Sequence, residues 1–128
     1  MKGGEELNVV LYGHRNDFEH CVSCMDALPE LQYRQIRYTH ADDYDVLVRT
    51  LPQSEFDLVI ILANGAEGME GVIAAKKLCP DTSVVWFSDD KGFLSASYRL
   101  DCIYFAQKPL TADILGTAME NYRKAVAG

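Results

Sequence analysis

The side chains best suited to chemistry stand where two apolar stretches end. Lys108 and Pro109 follow "CIYFAQ", and Ser88, Asp89 and Asp90 close "SVVWFSDD". A proline just before a helix is ordinary, because its fixed φ suits the first helical turn. A lysine at the last position of a strand is not required by that connection. Its amine needs a partner, and we expect one of the two aspartates, or solvent, to supply it.

Three further patterns suggest chemistry but fit a structural role better. His14 has no second histidine at ligand spacing, which favours a surface histidine over a metal ligand. Cys21 and Cys24 form a C-x-x-C beside the apolar stripe of a predicted helix, without a second such pair, which favours packing. The glycines of "GAEGMEG" do not have the G-x-G-x-x-G spacing of a nucleotide loop, so they indicate a turn and a helix entry.

Length and composition bound the class of protein. A chain of 128 residues is long enough for one domain with a core. Twelve basic against 19 acidic residues give a net charge of −7, which argues against nucleic-acid contact by this domain. Four dispersed cysteines and no signal peptide favour a reducing, cytoplasmic location. No apolar run approaches the ~20 residues that span a bilayer, so no membrane contact is expected.

Short apolar runs predict the strands of one sheet. Segments 7–12, 56–63 and 83–88 are almost continuously apolar, as buried parallel strands are. Segments 33–39 and 102–107 are β-prone but carry polar residues, which suits the sheet edges.

The segments between the strands predict helices. Apolar residues recur at i, i+3, i+4 and i+7 from Phe18, from Tyr44 and from Leu115. Two more helices are predicted to follow Gly68 and Gly92. This alternation predicts a doubly wound α/β fold, with a five-stranded parallel sheet and five helices on its two faces. Residues 1–6 are expected to form a disordered tail and residues 7–126 the single domain.

Ligands of such sheets bind at the carboxyl ends of the strands, so the residues there carry the functional information. These ends include "FDLVIILANGAEGMEG", "PDTSVVWFSDD" and "DCIYFAQKPLTADIL". In order and spacing the three stretches resemble the receiver domains of bacterial response regulators. The resemblance implies a flavodoxin-like sheet with strand order 2-1-3-4-5.

The resemblance also assigns roles to individual positions. It places Ser88 at the switch Ser/Thr, Phe105 at the switch aromatic residue, and Lys108 with Pro109 at a Lys-Pro motif whose peptide bond is typically cis. In that family the lysine pairs with a phosphoryl group.

The positions that should carry the chemistry are changed. Counting back from Gly71 places Ala63 where the family has its phosphoacceptor aspartate, and Gly13 and His14 where it has an acidic pair. Acyl-phosphate formation needs a carboxylate nucleophile, and Mg²⁺ needs oxygen ligands. The sequence therefore predicts a degenerate site that binds no metal and no cofactor and has no catalytic residue.

The function implied by the resemblance is a signalling module that acts by protein contact without aspartyl phosphorylation. The last stretch looks like receivers that precede LytTR-type DNA-binding domains, so this domain would reach DNA only through such an output domain. A homodimer or a protein partner is expected on the face of the fourth helix, fifth strand and fifth helix. That face is predicted to contain Tyr98, Leu100, Phe105, Ala112, Leu115 and Met119.

Two alternatives remain. The first is a small flavodoxin-like protein that binds a nucleotide or cofactor at the strand ends. It lacks a glycine-rich first turn and clustered aromatic residues. The second is a competent receiver that recruits Asp89 or Asp90, whose position after the fourth strand would alter the in-line geometry.

Overall fold

The computed structural model describes residues 6–28 and 35–128. Their strands form one parallel sheet in the order β2-β1-β3-β4-β5, as predicted. The strands are β1 (Glu6–Tyr12), β2 (Gln35–Ala41), β3 (Leu58–Ile61), β4 (Ser83–Ser88) and β5 (Tyr104–Gln107). Glu6, expected in a tail, is the first residue of β1, and residues 1–5 lie outside the described part.

The predicted helices are all present among the described residues. They are α1 (Arg15–Asp26), α2 (Tyr44–Thr50), α3 (Gly65–Leu78), α4 (Leu94–Arg99) and α5 (Ala112–Ala127). α3 begins three residues before the predicted Gly68, because Asn64 is already its N-cap. None of the helices in the described ranges is long and apolar enough to cross a membrane.

Two apolar layers cover the two faces of the sheet. On one face, alternate residues of β1, such as Val9 and Leu11, pack with Leu115 and Met119 of α5 and with α1. On the other face, Val10 and residues of β3 and β4 pack with α2 and α3. The strands are buried on both sides, which explains their continuous apolar runs.

The two closely spaced cysteines of α1 have the packing role predicted for them, and Trp86 also packs in the core. Trp86 is 0% exposed in β4, and Cys21 and Cys24 are buried against the sheet. Burial raises the pKa of Cys21 to about 12, with smaller contributions from Cys24 and Asp17. A thiol in this state is a poor nucleophile.

Candidate functional site

The carboxyl ends of four strands meet at one edge of the sheet. Tyr12 of β1 pairs with Ile61 of β3, and Ile61 pairs with Trp86 of β4, two residues before that strand ends. Ser88, the last residue of β4, pairs with Gln107 of β5. Because the strands are parallel, the residues that follow them converge there.

The side chain of Lys108 lies over this edge and is already bonded. Its Nζ donates to Oδ2 of Asp17 at 3.1 Å and to the carbonyl oxygen of Leu62 at 2.7 Å. The lysine side chain is 14% exposed and the aspartate side chain 36%, so the ion pair is only partly screened by solvent. The Lys108–Pro109 peptide bond is cis.

The prediction that Asp89 or Asp90 binds the amine of Lys108 was wrong. In the described part of the chain, no ion pair joins Lys108 to Asp89 or Asp90. Asp90 instead accepts a bond from the amide of Gly92 at 2.8 Å, which caps the turn before α4. Both aspartates are exposed, so solvent satisfies their charge without the lysine.

Sequence reasoning missed Asp17. The residue lies in the first turn of α1, where an acid is explained by the helix dipole alone. Its partner is 91 positions away in the chain, and only the sheet brings β5 and α1 together. The sequence did contain one indication of its role. Asp17 follows His14 by three residues, so one turn of a helix that starts after His14 places Asp17 near the end of the first strand.

Ser88 fixes the loop between β3 and α3. Its hydroxyl, fully buried, accepts from the amides of Gly65 and Asp90, each at 3.2 Å. Asn64 adds a link, because its Oδ1 accepts from the amide of Asp89 at 2.9 Å. Ser88 thus joins the ends of β3 and β4.

Ala63 is buried in the same loop, at 4% exposure. Its carbonyl accepts a bond from the indole Nε1 of Trp86 at 3.2 Å. The ring of Trp86 meets Phe105 edge-on, with centroids 5.3 Å apart, and Phe93 at 5.6 Å. Aromatic contacts therefore connect the loop at Ala63 with β5 and with the start of α4.

Gly13 is held in close contact with β3. A Cβ at this position would lie 2.8 Å from the Cβ of Leu62, closer than side chains approach one another. The carbonyl of Gly13 accepts from Nε2 of His40 at 2.7 Å, and the ring of His40 stacks on Phe18 at 4.4 Å. His14, the N-cap of α1, is exposed and makes no side-chain cap bond, in agreement with a surface histidine.

Solved structures share this architecture. The chain is similar to a CheY-like response regulator receiver domain from Methanospirillum hungatei JF-1, with 16% identity, coverage of 96% of this chain and 98% of that one, and a TM-score of 0.73. It is also similar to the signal receiver domain of an HD domain-containing protein from Pseudomonas fluorescens Pf-5, with 17% identity, coverage of 97% and 100%, and a TM-score of 0.76.

A third similar structure is RcsB from Salmonella enterica serovar Typhimurium, bound to promoter rprA with BeF3-. It has 16% identity and a TM-score of 0.70, and the match covers 89% of this chain but 66% of RcsB. No family model matches the sequence, and no curated protein does. With the strand order 2-1-3-4-5, these likenesses decide the fold. The chain has the receiver fold.

The residues at this edge do not fit the magnesium ion that the receiver fold implies. The positions given by the resemblance are occupied by Gly13, His14 and Ala63, which offer no carboxylate oxygen. The nearby carboxylate of Asp17 is engaged by Lys108. Within the described ranges, no group of three or more His, Cys, Asp or Glu side chains is arranged to hold a metal ion.

The predicted interaction face includes two residues that are in fact buried. Leu115 and Met119, expected on its surface, are 0% and 2% exposed and belong to the core under α5. Leu100, Phe105 and Ala112 are half-buried. Of the six predicted residues Tyr98 of α4 is the exposed one, at 85%, and Leu94 of the same helix is 55% exposed. These two side chains, with Ser95 and Arg99, line a surface depression of about 420 Å³.

Proposed function

We propose that this chain is a receiver-fold signalling module without catalytic activity, whose conformation is not set by aspartyl phosphorylation and which acts by protein contact. The observation that carries the proposal is the bonding of Lys108. The amine that the resemblance assigns to a phosphoryl group is held by Asp17 and by the carbonyl of Leu62. Because both acceptors belong to the chain itself, the amine is neutralised without a phosphoryl group.

The packing around Gly13 supports the same proposal. An acid at this position would place its Cβ against Leu62, so the turn after β1 would have to move before a carboxylate could enter. The side chain of Ala63 is a methyl group, and the carbonyl of the same residue already accepts a hydrogen bond from Trp86. The site thus lacks the nucleophile and also lacks the space for one of the acids that would hold the metal.

Phosphoryl chemistry is tested by amide NMR spectra recorded with Mg²⁺ and beryllofluoride. We expect no saturable shift in the wild type, and none in Ala63→Asp, because the restored nucleophile still lacks the two acids at Gly13 and His14. A receiver domain with an intact acidic site is the positive control. Saturable wild-type shifts near Ser88 and Lys108 would refute the proposal.

The same spectra with flavins and nucleotides test the cofactor-binding alternative. We expect no saturable shift at the strand ends, and saturation with any of these compounds would favour that alternative instead.

For the contact surface we propose the face of α4, β5 and α5, centred on Tyr98 and Leu94, which binds a second copy or a protein partner. Exposed large apolar side chains that lie together are typical of such surfaces. We expect Tyr98→Ala to weaken self-association measured by analytical ultracentrifugation, and Tyr44→Ala, on α2, to leave it unchanged. A wild type that remains monomeric at high micromolar concentration would exclude the homodimer and leave a heterologous partner.

The stretch "SASYRLDCIYFAQKPLTADIL" supports a further proposal, that this domain is the N-terminal part of a LytTR-type transcriptional regulator. The expected observation is a LytTR-type domain encoded downstream in the same reading frame. A reading frame that encodes no DNA-binding domain would contradict this part of the proposal and leave the contact function standing.

A further inference from the structure

A buried hydroxyl group lies at the same edge of the sheet but takes no part in the site described above. Tyr12, the last residue of β1, is 1% exposed, and its hydroxyl has no hydrogen-bond partner in residues 6–28 and 35–128. Buried polar groups are nearly always bonded, because leaving one unpaired forfeits its hydration. The hydroxyl of Tyr12 therefore calls for a partner from outside the described residues.

The ring of Tyr12 passes beneath α3 and toward α2. A Cβ at Gly71 of α3 would lie 2.6 Å from Cδ2 of this ring, so the two are in direct contact. Glu67 lies one helical turn before Gly71, and Glu70 lies directly before it. On the other side, Tyr12 pairs with Ala41, two residues before Asp43, the N-cap of α2.

Acidic side chains lie on the two helices that flank this ring, Glu67 and Glu70 on α3 and Asp43 at the N-cap of α2. Burial, followed by the charges of Glu67, Glu70 and Asp43, raises the pKa of Tyr12 to about 12, so the hydroxyl lies within the field of all three acids. Glu67 and Glu70 are exposed, and no ion pair joins either of them to another described residue. The side chain of Asp43 accepts the capping bond from the amide of Val46 at 2.9 Å. None of the three acids forms an ion pair with another described residue, although Arg49 of α2 lines a surface depression together with Asp43.

The chemistry required of a ligand follows from these groups. Carboxylates only accept hydrogen bonds, and a hydroxyl can accept as well as donate, so a ligand that brings N–H donors together with positive charge can bond both kinds of group. A guanidinium group has five donors in one plane and a permanent charge, and it can bond a hydroxyl and a carboxylate together. Asp43 and Tyr44, with Asp45, Val48 and Arg49, line a surface depression of about 430 Å³ beside the start of α2.

We propose that the region between the start of α2 and the first two turns of α3 binds an arginine side chain of a protein partner, with Glu67, Glu70 and Asp43 holding its charge and the hydroxyl of Tyr12 accepting one N–H. Tyr44, at 41% exposure, and the two glutamates are exposed side chains, and such side chains change rotamer fast. This acidic docking site is distinct from the exposed apolar side chains of α4.

The probe is triarginine amide, titrated into the full chain and followed by amide NMR spectra at low salt. Trilysine amide, of equal charge, and spermidine are run in parallel. We expect saturable shifts at Tyr12 and at Gly68 to Gly71, with triarginine at least threefold tighter than the other two. Equal affinity for all three, or shifts that never saturate, would overturn the assignment to arginine.

Two variants test the assigned groups. Tyr12→Phe removes a hydroxyl that makes no internal bond, so we expect an unchanged or higher urea midpoint together with at least fivefold weaker triarginine binding. Glu70→Gln is expected to weaken binding to a similar degree, and Glu55→Gln, an equal charge change in the loop before β3, to leave it unchanged. Wild-type affinity in Tyr12→Phe, or equal losses in the two glutamine variants, would overturn the proposal.

Discussion

Removing Asp17 or Lys108 measures how strongly the amine is held by the protein itself. A hydrogen bond to a charged group contributes roughly 1.5–3 kcal/mol when buried, and an exposed ion pair roughly 0.2–1 kcal/mol. The pair lies between these limits, since the side chains are 14% and 36% exposed. We therefore expect Asp17→Ala to lower the free energy of unfolding by about 1 kcal/mol.

Lys108→Met should cost more, because the amine has two acceptors. It removes the bond to Asp17 and also leaves the carbonyl of Leu62, in a residue that is 1% exposed, without its donor. A buried acceptor left without a partner costs roughly 1–3 kcal/mol, so the total is about 2–3 kcal/mol. Methionine preserves most of the apolar stem, which separates the loss of bonding from a loss of packing.

The assay is urea unfolding followed by circular dichroism and by the fluorescence of Trp86, the single tryptophan. The double variant closes a thermodynamic cycle, and its coupling energy should be about 1 kcal/mol. Glu19→Ala is the control, since Glu19 lies on the same helix and pairs with Arg15 at 60% and 74% exposure. If Asp17→Ala costs no more than this control and the coupling is zero, the amine is not held as we infer.

Three other perturbations have defined outcomes. Gly68→Ala would place a methyl group on the carbonyl of Ala63 and 2.6 Å from Nε1 of Trp86, so a loss of roughly 1–3 kcal/mol and a shifted emission spectrum are expected. Ser88→Ala removes the acceptor of two backbone amides, whose hydrogen exchange should speed up while the rest of the sheet is unaffected. Burial raises the pKa of the Cys21 thiol from its ordinary value of 9.0 to about 12 in the folded protein. Its contribution to the free energy of unfolding is therefore complete below pH 9 and is lost as the pH rises toward 12, because the unfolded chain loses this proton first. Cys21→Ala should make the urea midpoint less dependent on pH in this range.

The sheet could be predicted because each buried strand is marked by an apolar run in its own segment of the sequence. Runs such as 83–88 are apolar between their terminal serines, as a strand buried on both faces requires. The limits of three strands were predicted less well. β3 spans Leu58–Ile61 where 56–63 was predicted, and β5 starts at Tyr104, two residues after its predicted start. β2 ends at Ala41, two residues after its predicted end, while residues 33 and 34 of that prediction lie outside the described residues. Edge strands have a weaker apolar signal, so their limits depend on pairing with β1 and β4.

The errors at the site came from contacts that no local pattern records. The pairing of Lys108 with Asp17 depends on a strand and a helix that are far apart in the chain. The misplacement of Leu115 and Met119 was avoidable, because their i, i+4 spacing already indicated the side of α5 that faces the core. A position taken from a resemblance should therefore be checked against helical periodicity before it is assigned to a surface.

The close contact between Gly13 and Leu62 determines how this scaffold can be re-engineered. Adding the missing carboxylates one at a time would not restore the site, because Leu62, directly after β3, leaves no space for a side chain at Gly13 in the turn after β1. Because the clash is with the Cβ of Leu62, a designer who wants a metal-dependent switch here must first replace Leu62 with glycine or lengthen the turn after Tyr12. Only then does the choice of acids become a question of chemistry.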